Sequence, residues 1–383
     1  MPYFDHNATS PLTPVAREAW LRAQDEAWQN PSSPTRAAAR VRNLLEAARE
    51  KLAALIDARP EQIVFNSGAT EGAATILAHL ARTSPPEARI ALNPTEHPCI
   101  LESAGRYFAN RIEWLPVSGS AEVPLGTTAR SAAQSAEKNL GAPRFAAVAI
   151  MAANNETGII HPWRKIANAC RAARIPYLCD ATQWLGKLPA SGLAKSADWL
   201  IASAHKFGGP KGVGFLKIAD QAESFNAHPG GAQEHGHRGG TENYPAIAAM
   251  VAALEDAETH KMHLETERLR WRAEFERAIT QAIPGTQIIG GGEEIPPDAR
   301  LWNTVMLLMP REENTRWVAL LDKRGFQVST GSACATGKAG PSHVLAAMGI
   351  SADAARRAVR VSASWDTTHE DWHVLARAFT EVL

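Results

Sequence analysis

The sequence predicts an α/β fold: a three-layer α/β/α large domain with a mainly parallel sheet, joined to a smaller α+β domain. Three observations carry this. Short apolar runs alternate with amphipathic stretches over the first two thirds of the chain. The polar residues that stand out come directly after those apolar runs. A length of 383 residues exceeds what one small core takes up, so the chain divides in two.

Residues 1–14 are rich in Pro and Thr and read as extended. From Thr35 to Ile56, apolar Val41, Leu44, Leu45, Ala48, Leu52 and Leu55 recur at spacings of three and four, the mark of an amphipathic helix. Ile63-Val64-Phe65 is a short strand ending at Asn66-Ser67-Gly68, and a helix with Ala73, Ile76, Leu77 and Leu80 on one face follows. Ile90-Ala91-Leu92 is a second strand. Phe145 to Met151 is continuously apolar, which fits a strand buried on both faces. Pro176 to Cys179 runs into Asp180, Trp199 to Ala202 runs into Ser203 and His205, and Val213 to Leu216 follows a Gly/Pro turn. Strands alternating with helices imply βαβ units, and such sheets bind ligands at the carboxyl ends of their strands. Residues 246–282 read as long helices, 284–297 as a surface turn rich in Gly and Pro, and 303–309 as a strand. A Gly/Ser-rich segment at 329–341 precedes an end rich in helix formers. The expected division is a large domain over 15–258, with 1–14 and 259–383 forming the small one. The stretch 118–136 carries no clear pattern.

Composition narrows the function classes. Lys plus Arg equals Asp plus Glu at 40 each, so no net field favours nucleic acid or an anionic membrane. No apolar run reaches the length of a bilayer, and no signal peptide is visible at the start. Four cysteines, Cys99, Cys170, Cys179 and Cys334, make no disulfide framework and fit a reducing cytoplasm. His228, His235 and His237 cluster, but no cysteine lies at ligand spacing, so no metal is expected.

Five segments can carry chemistry. Lys206, in Ser203-Ala204-His205-Lys206, sits at a strand end before a Gly-rich turn; a desolvated lysine there forms Schiff bases readily, although a loop lysine also fits. Asp180 can pair with a protonated pyridine nitrogen or cap the next helix. Gln183 lies one turn further on. Ser67-Gly68-Ala69-Thr70-Glu71 offers glycine, a hydroxyl and free N–H groups at a helix start, an anion cradle or a plain cap. Ser203 and His205 can add donors to it. His97, in Thr95-Glu96-His97, can stack on an aromatic ring and move protons. Cys334 lies among glycines and small residues with Lys338 nearby, which suits a mobile thiol nucleophile or an idle loop cysteine.

Taken together, Asp-x-x-Gln at 180–183, Ser-x-His-Lys at 203–206 and Gly-Ser-Ala-Cys at 331–334 resemble the cysteine desulfurases, in the class V aminotransferase group of fold-type-I pyridoxal-phosphate enzymes. The resemblance runs from Tyr3-Phe4-Asp5 to Arg360-Val361-Ser362. It implies that Lys206 holds pyridoxal 5'-phosphate, Asp180 faces the ring nitrogen, Gln183 contacts the phenolic oxygen and His97 stacks on the ring. It assigns the phosphate to Ala69, Thr70, Ser203 and His205, with Thr241 supplied by the second subunit of a homodimer. Asn155, which also borders the cofactor, and Arg360 would hold the carboxylate of L-cysteine. Lys206 or His97 would remove the α-proton, and the Cys334 thiolate would take the sulfur, leaving L-alanine and a persulfide. A sulfur-acceptor protein would then receive it, for iron–sulfur cluster assembly, tRNA thiolation or another thio-cofactor. The stretch from Cys334 to Pro341 resembles the long-loop subgroup linked to iron–sulfur scaffolds. Selenocysteine lyase, or another class V pyridoxal-phosphate enzyme such as an aminotransferase, is the alternative.

Three segments depart from the family pattern. Small apolar Gly72-Ala73-Ala74 replace a polar position, an Arg usual near His235 is missing, and Ser364-Trp365-Asp366 is altered.

Overall fold

The computed structural model describes residues 2–117, 145–220, 222, 224–291, 295–331 and 342–382. Two helices open the chain, α1 (Pro14–Glu26) and α2 (Arg36–Ile56). The Thr35 hydroxyl caps α2 by accepting from the Ala38 N–H, and Asp57 ends it in the left-handed region at φ 57°. Val41, Leu45, Leu52 and Ile56 form its buried face, as the spacing predicts.

Seven strands make the main sheet: β1 (Ile63–Asn66), β2 (Arg89–Leu92), β3 (Ile112–Trp114), β4 (Phe145–Ala149), β5 (Tyr177–Asp180), β6 (Trp199–Ser203) and β7 (Gly214–Lys217), in the order β1-β7-β6-β5-β4-β2-β3. From β6 to β3 every pairing is parallel. β7 runs antiparallel to both its neighbours, because the turn after Lys206 returns the chain directly beside β6, with Ser203 opposite Gly214. β5 and β6 are buried throughout, which their unbroken apolar runs require. Helices α3 (Ala69–Thr83), α4 (Pro98–Phe108) and α5 (Trp163–Ala173) follow β1, β2 and β4 in the chain. The carboxyl ends of β1, β2, β5 and β6 therefore deliver Ser67, Glu96, Asp180 and Ser203 to one edge of the sheet.

After α6 (Tyr244–Asp256) and α7 (Glu265–Ala282) comes a second, antiparallel sheet of β8 (Gln287–Ile288), β9 (Thr304–Leu308) and β10 (Ala358–Ser362), in the order β10-β9-β8. The helices α8 (Asn314–Lys323) and α9 (His369–Glu381) complete this part. Among the described residues no helix is long and apolar enough to cross a membrane.

The structure adds to and corrects the sequence reading in places. α1 goes unread because it buries only Ala16 and Ala23; Thr13 before Pro14 was its signal. The helical stretch 246–282 breaks over Ala257–Leu264 into a wide turn and a tight one. The expected surface turn at 284–297 contains β8 and the buried Ile289. β10 has Arg360 at its centre, a charge that hides a strand pattern.

Candidate active site

The anion cradle is built where β1 and β6 end. Gly68 precedes α3 at φ 142°, and a Cβ there would meet Ser203 Oγ at 3.0 Å, so only glycine lets the two strand ends approach this closely. Ser203 Oγ accepts from the Ala69 N–H at 2.8 Å. A cavity of about 390 Å³ opens here, lined by Thr70, Ser203 and His205, with Ala8 and Thr9 from the N-terminal segment. His205 Nδ1 lies 3.1 Å from Thr9 Oγ1. Burial, then the neighbouring cations Lys206, Lys211 and Lys187, push its imidazole down to about 4, so it is neutral near pH 7. Glu71 shares the cradle; burial pushes its carboxyl up, but donors from Arg238 at 3.0 Å and Ser67 at 2.8 Å leave it below its ordinary range. Gly72 explains one departure from the family pattern: a Cβ there would meet Ile201 Cγ2 at 2.8 Å, so α3 packs directly on β6.

Lys206 follows β6 in a tight turn, and its Nζ donates to the carbonyls of Asn7 and Ala8, both at 2.8 Å. It also lines a second cavity of about 380 Å³ with His6, Lys187, Trp302 and Trp365. The altered Trp365 packs on Trp302 with ring centroids 4.0 Å apart and donates to the Gly186 carbonyl.

Asp180 ends β5 and is 6% exposed. Its Oδ1 accepts from the Thr182 N–H at 2.8 Å, and Oδ2 has no hydrogen-bond partner among the described residues. His97 caps α4, its Nδ1 accepting from the Cys99 N–H at 3.2 Å, which leaves the proton of the neutral ring on Nε2. Burial lowers its pKa most; Asp180 acts against this, and Lys206 and His343 act with it. Asp180, Lys206 and His343 therefore all lie within electrostatic reach of the His97 ring. Behind them lies Glu96, whose Oε1 accepts from the Met151 N–H at 2.6 Å. Burial and then the Asp180 charge push its carboxyl well above the ordinary range.

Gln183 is also buried, but its amide faces other protein groups: Nε2 donates to the Asn7 carbonyl at 2.9 Å, and Oε1 accepts from Lys187. Lys187 Nζ also donates to Asn7 Oδ1 at 3.0 Å. Burial, then the cations Lys206 and Arg360, push this amine well below its ordinary value. Arg360, 1% exposed, donates to the carbonyls of Asn155 at 3.0 Å and Gly331 at 3.1 Å and pairs with Asp5 at 2.7 Å. Its buried Nε has no partner among the described residues, so one charged donor is left for a ligand.

The structure thus gathers Ala69, Thr70, Ser203 and His205 into one cradle, brings Asp180 and Lys206 within electrostatic reach of His97, and joins the Asn155 carbonyl to Arg360. It does not bring Thr241 to the cradle of its own chain; Thr241 is exposed, on the segment that follows the buried Arg49–Glu234 ion pair of 2.8 Å. Cys334 lies outside the described residues. The flanks of its segment are fixed: Gly331 N–H donates to Ser329 Oγ at 3.2 Å, and Ser342 Oγ donates to Glu156 Oε2 at 2.5 Å. Burial pushes the Cys170 thiol up to about 12 and raises that of Cys179 further, so neither serves as a thiolate nucleophile. Sequence reasoning missed Asn7, Lys187 and His343. The Lys four residues after Gln183 was the available signal, since both share one face of a helical turn.

The family model "Aminotransferase class-V" matches residues 2–375. A cysteine desulfurase of Frankia sp. (strain EuIK1) is 36% identical, covering 97% of this chain and 88% of the relative. One from Cereibacter sphaeroides is also 36% identical, covering 96% and 92%. Among solved structures, a "NifS-like protein" superposes with a TM-score of 0.87 at 29% identity, covering 100% of this chain and 98% of that one. The structure "SspA in complex with cysteine" superposes with a TM-score of 0.78 at 29% identity, covering 95% and 99%.

Proposed function

The chain belongs to the class V aminotransferase family, among the cysteine desulfurases, and from that premise we propose that it removes sulfur from L-cysteine with pyridoxal 5'-phosphate held at Lys206 and Cys334 as sulfur acceptor. The observation that carries this reading is the convergence on one sheet edge of an amine (Lys206), a neutral imidazole (His97), a buried carboxylate (Asp180) and an anion cradle.

The residues fit such a group. Asp180 Oδ2 lacks a partner among the described residues, as a carboxylate facing a protonated ring nitrogen requires. The cradle at Gly68 offers the Thr70 and Ser203 hydroxyls, His205 and the positive end of α3 to a phosphate. Thr241 of a second copy would complete it, which makes the active unit a homodimer. When bound, pyridoxal 5'-phosphate supplies an electron sink for the charge left at the substrate's α-carbon. Gln183 Nε2 has a second hydrogen beyond the one given to Asn7, available for the phenolic oxygen.

The chain's own groups do the rest. Arg360, through its orphaned Nε, and Asn155 orient the substrate carboxylate. Lys206 takes the α-proton, with neutral His97 as the alternative base. Cys334 is assigned as the nucleophile from its place in Gly331-Ser332-Ala333-Cys334. The thiolate attacks the sulfur of cysteine, whose carbon–sulfur bond breaks, giving L-alanine and a persulfide on Cys334. A sulfur-acceptor protein, such as an iron–sulfur scaffold, takes the sulfur on. The two separate sheets support a division into a cofactor-binding unit, 15–258, and a smaller unit, 1–14 with 259–383.

The deciding experiment compares wild type with Cys334→Ala. The variant keeps its yellow, cofactor-bound colour and loses persulfide formation and alanine release. Equal alanine release from both would overturn the role of Cys334, and a colourless wild type that takes up no pyridoxal 5'-phosphate would overturn the whole reading. Selenide release from selenocysteine, measured beside sulfide release from cysteine, separates this activity from a selenocysteine lyase.

A further inference from the structure

On the helical side of the smaller unit, three ligand-type side chains from two helices meet. His369 and His373 stand one turn apart on α9, on the same face. Glu274 reaches them from α7. Glu274 Oε2 lies 2.6 Å from His369 Nε2, and His373 Nε2 lies 3.0 Å from the same nitrogen. All three ligand atoms fall within 4.8 Å of one another. The His369 ring stacks on Trp271, with centroids 5.3 Å apart and planes at 25°, so its direction is set by packing as well as by the ion pair.

A proton serves this arrangement badly. His369 Nε2 carries at most one hydrogen, yet it faces both a carboxylate and a second ring nitrogen. If that hydrogen goes to Glu274, no lone pair remains for His373. If it is absent, a lone pair faces the carboxylate. If both rings are charged, two N–H groups oppose each other. A divalent cation between the three atoms satisfies all of them together. Two imidazoles and one carboxylate, with room for water at an exposed fourth position, are a donor set that suits zinc. Two ligands of tetrahedral zinc lie roughly 3.3 Å apart, so the two close pairs, at 2.6 and 3.0 Å, part by less than about 1 Å to admit the ion.

We propose that Glu274, His369 and His373 form a zinc site that ties α7 to α9, separate from the residues assigned to sulfur chemistry. Arg270, 3.7 Å from Glu274 Oε1, is the nearest cation paired with the cluster, and it competes for the carboxylate. The ion would act as a staple, since it binds the folded pair of helices and has no assembled site in the unfolded chain.

The test titrates zinc into the full-length holoprotein against a chromophoric chelator, for wild type, His373→Ala and Glu274→Gln. Both side chains lie at the surface, and unchanged metal-free melting of the variants shows that they fold. The expected result is one zinc equivalent in wild type, bound about tenfold or more tightly than in either variant, because losing even a supporting group of a metal site weakens binding by about 10–100-fold. Zinc also raises the melting midpoint of wild type more than that of either variant. Equal zinc binding by wild type and His373→Ala, or a wild-type midpoint that zinc does not raise, overturns the proposal.

Discussion

Lys187 and Lys206 are held on the same residue: Lys187 Nζ donates to Asn7 Oδ1 at 3.0 Å, and Lys206 Nζ donates to the Asn7 carbonyl at 2.8 Å. Lys187 also holds Gln183 Oε1, which turns the amide nitrogen of Gln183 the other way. Removing this amine leaves Gln183 Oε1 without its donor, at a cost of about 1–3 kcal/mol, while Asn7 Oδ1 keeps Asn303 at 3.2 Å. The effect also belongs in the turnover. Lys187→Met is expected to bind cofactor normally and to lose about tenfold in kcat, near 1.4 kcal/mol, with a shifted pH–rate profile. Steady-state kinetics across pH check this; an unchanged profile means that Lys187 only fills space.

Among the described residues, Arg360 has one buried donor, Nε, without a partner, while its other nitrogens hold Asp5, Asn155 and Gly331. Lysine keeps the charge but has no such donor. Arg360→Lys is therefore expected to raise KM for cysteine by about 10–100-fold, the worth of a hydrogen bond to a charged group, and to leave kcat within a few-fold. A KM close to that of wild type would separate Arg360 from the substrate.

The exposure of Thr241 leads to a subunit-mixing test. Lys206→Ala chains mixed with Thr241→Ala chains would form hybrids with one doubly damaged site and one intact site, provided that Thr241 serves the neighbouring subunit. Desulfurase activity should then rise above the mean of the two parents, toward roughly a quarter of wild type for random pairing. If Thr241 served its own chain, mixing would restore nothing.

Burial sets the acid stability. His161 is fully buried, and this pushes its imidazole from 6.5 to about 4; His6 and His205 are held near 4 as well, with burial again the main cause. Because the unfolded chain takes up these protons first as pH falls, the stability they contribute is complete above about 6.5 and is lost between 6.5 and 4. For His161 alone this is on the order of 3 kcal/mol. Melting temperature measured from pH 7 to pH 4 should drop through that window, and His161→Gln should flatten the drop.

Much of this site can be read from sequence because its parts stand directly after strands. Asp180, Ser203 and Lys206 each follow an unbroken apolar run, and parallel sheets collect such positions at one edge. The cradle could be read from Gly68 for the same reason. Asn7 and His343 could not be, because they act across separations that no local pattern encodes; Lys187 carried a local signal four residues after Gln183, but its bond to Asn7, 180 positions apart, did not show. β10 stayed hidden because Arg360 interrupts its apolar run and is buried only through Asp5 and two backbone carbonyls. The His369–His373 pair lies in plain view on α9, but its third member comes from another helix.

The N–H of Asn7 donates to Ser362 Oγ, 355 positions away, and the same residue receives Lys206. Asn7 therefore joins the two sheets, held by Gln183, Lys187 and Lys206 on one side and by the end of β10 on the other. A displacement of β10 would thus be felt at the Lys206 amine through a single shared residue, which couples the small sheet mechanically to the pocket.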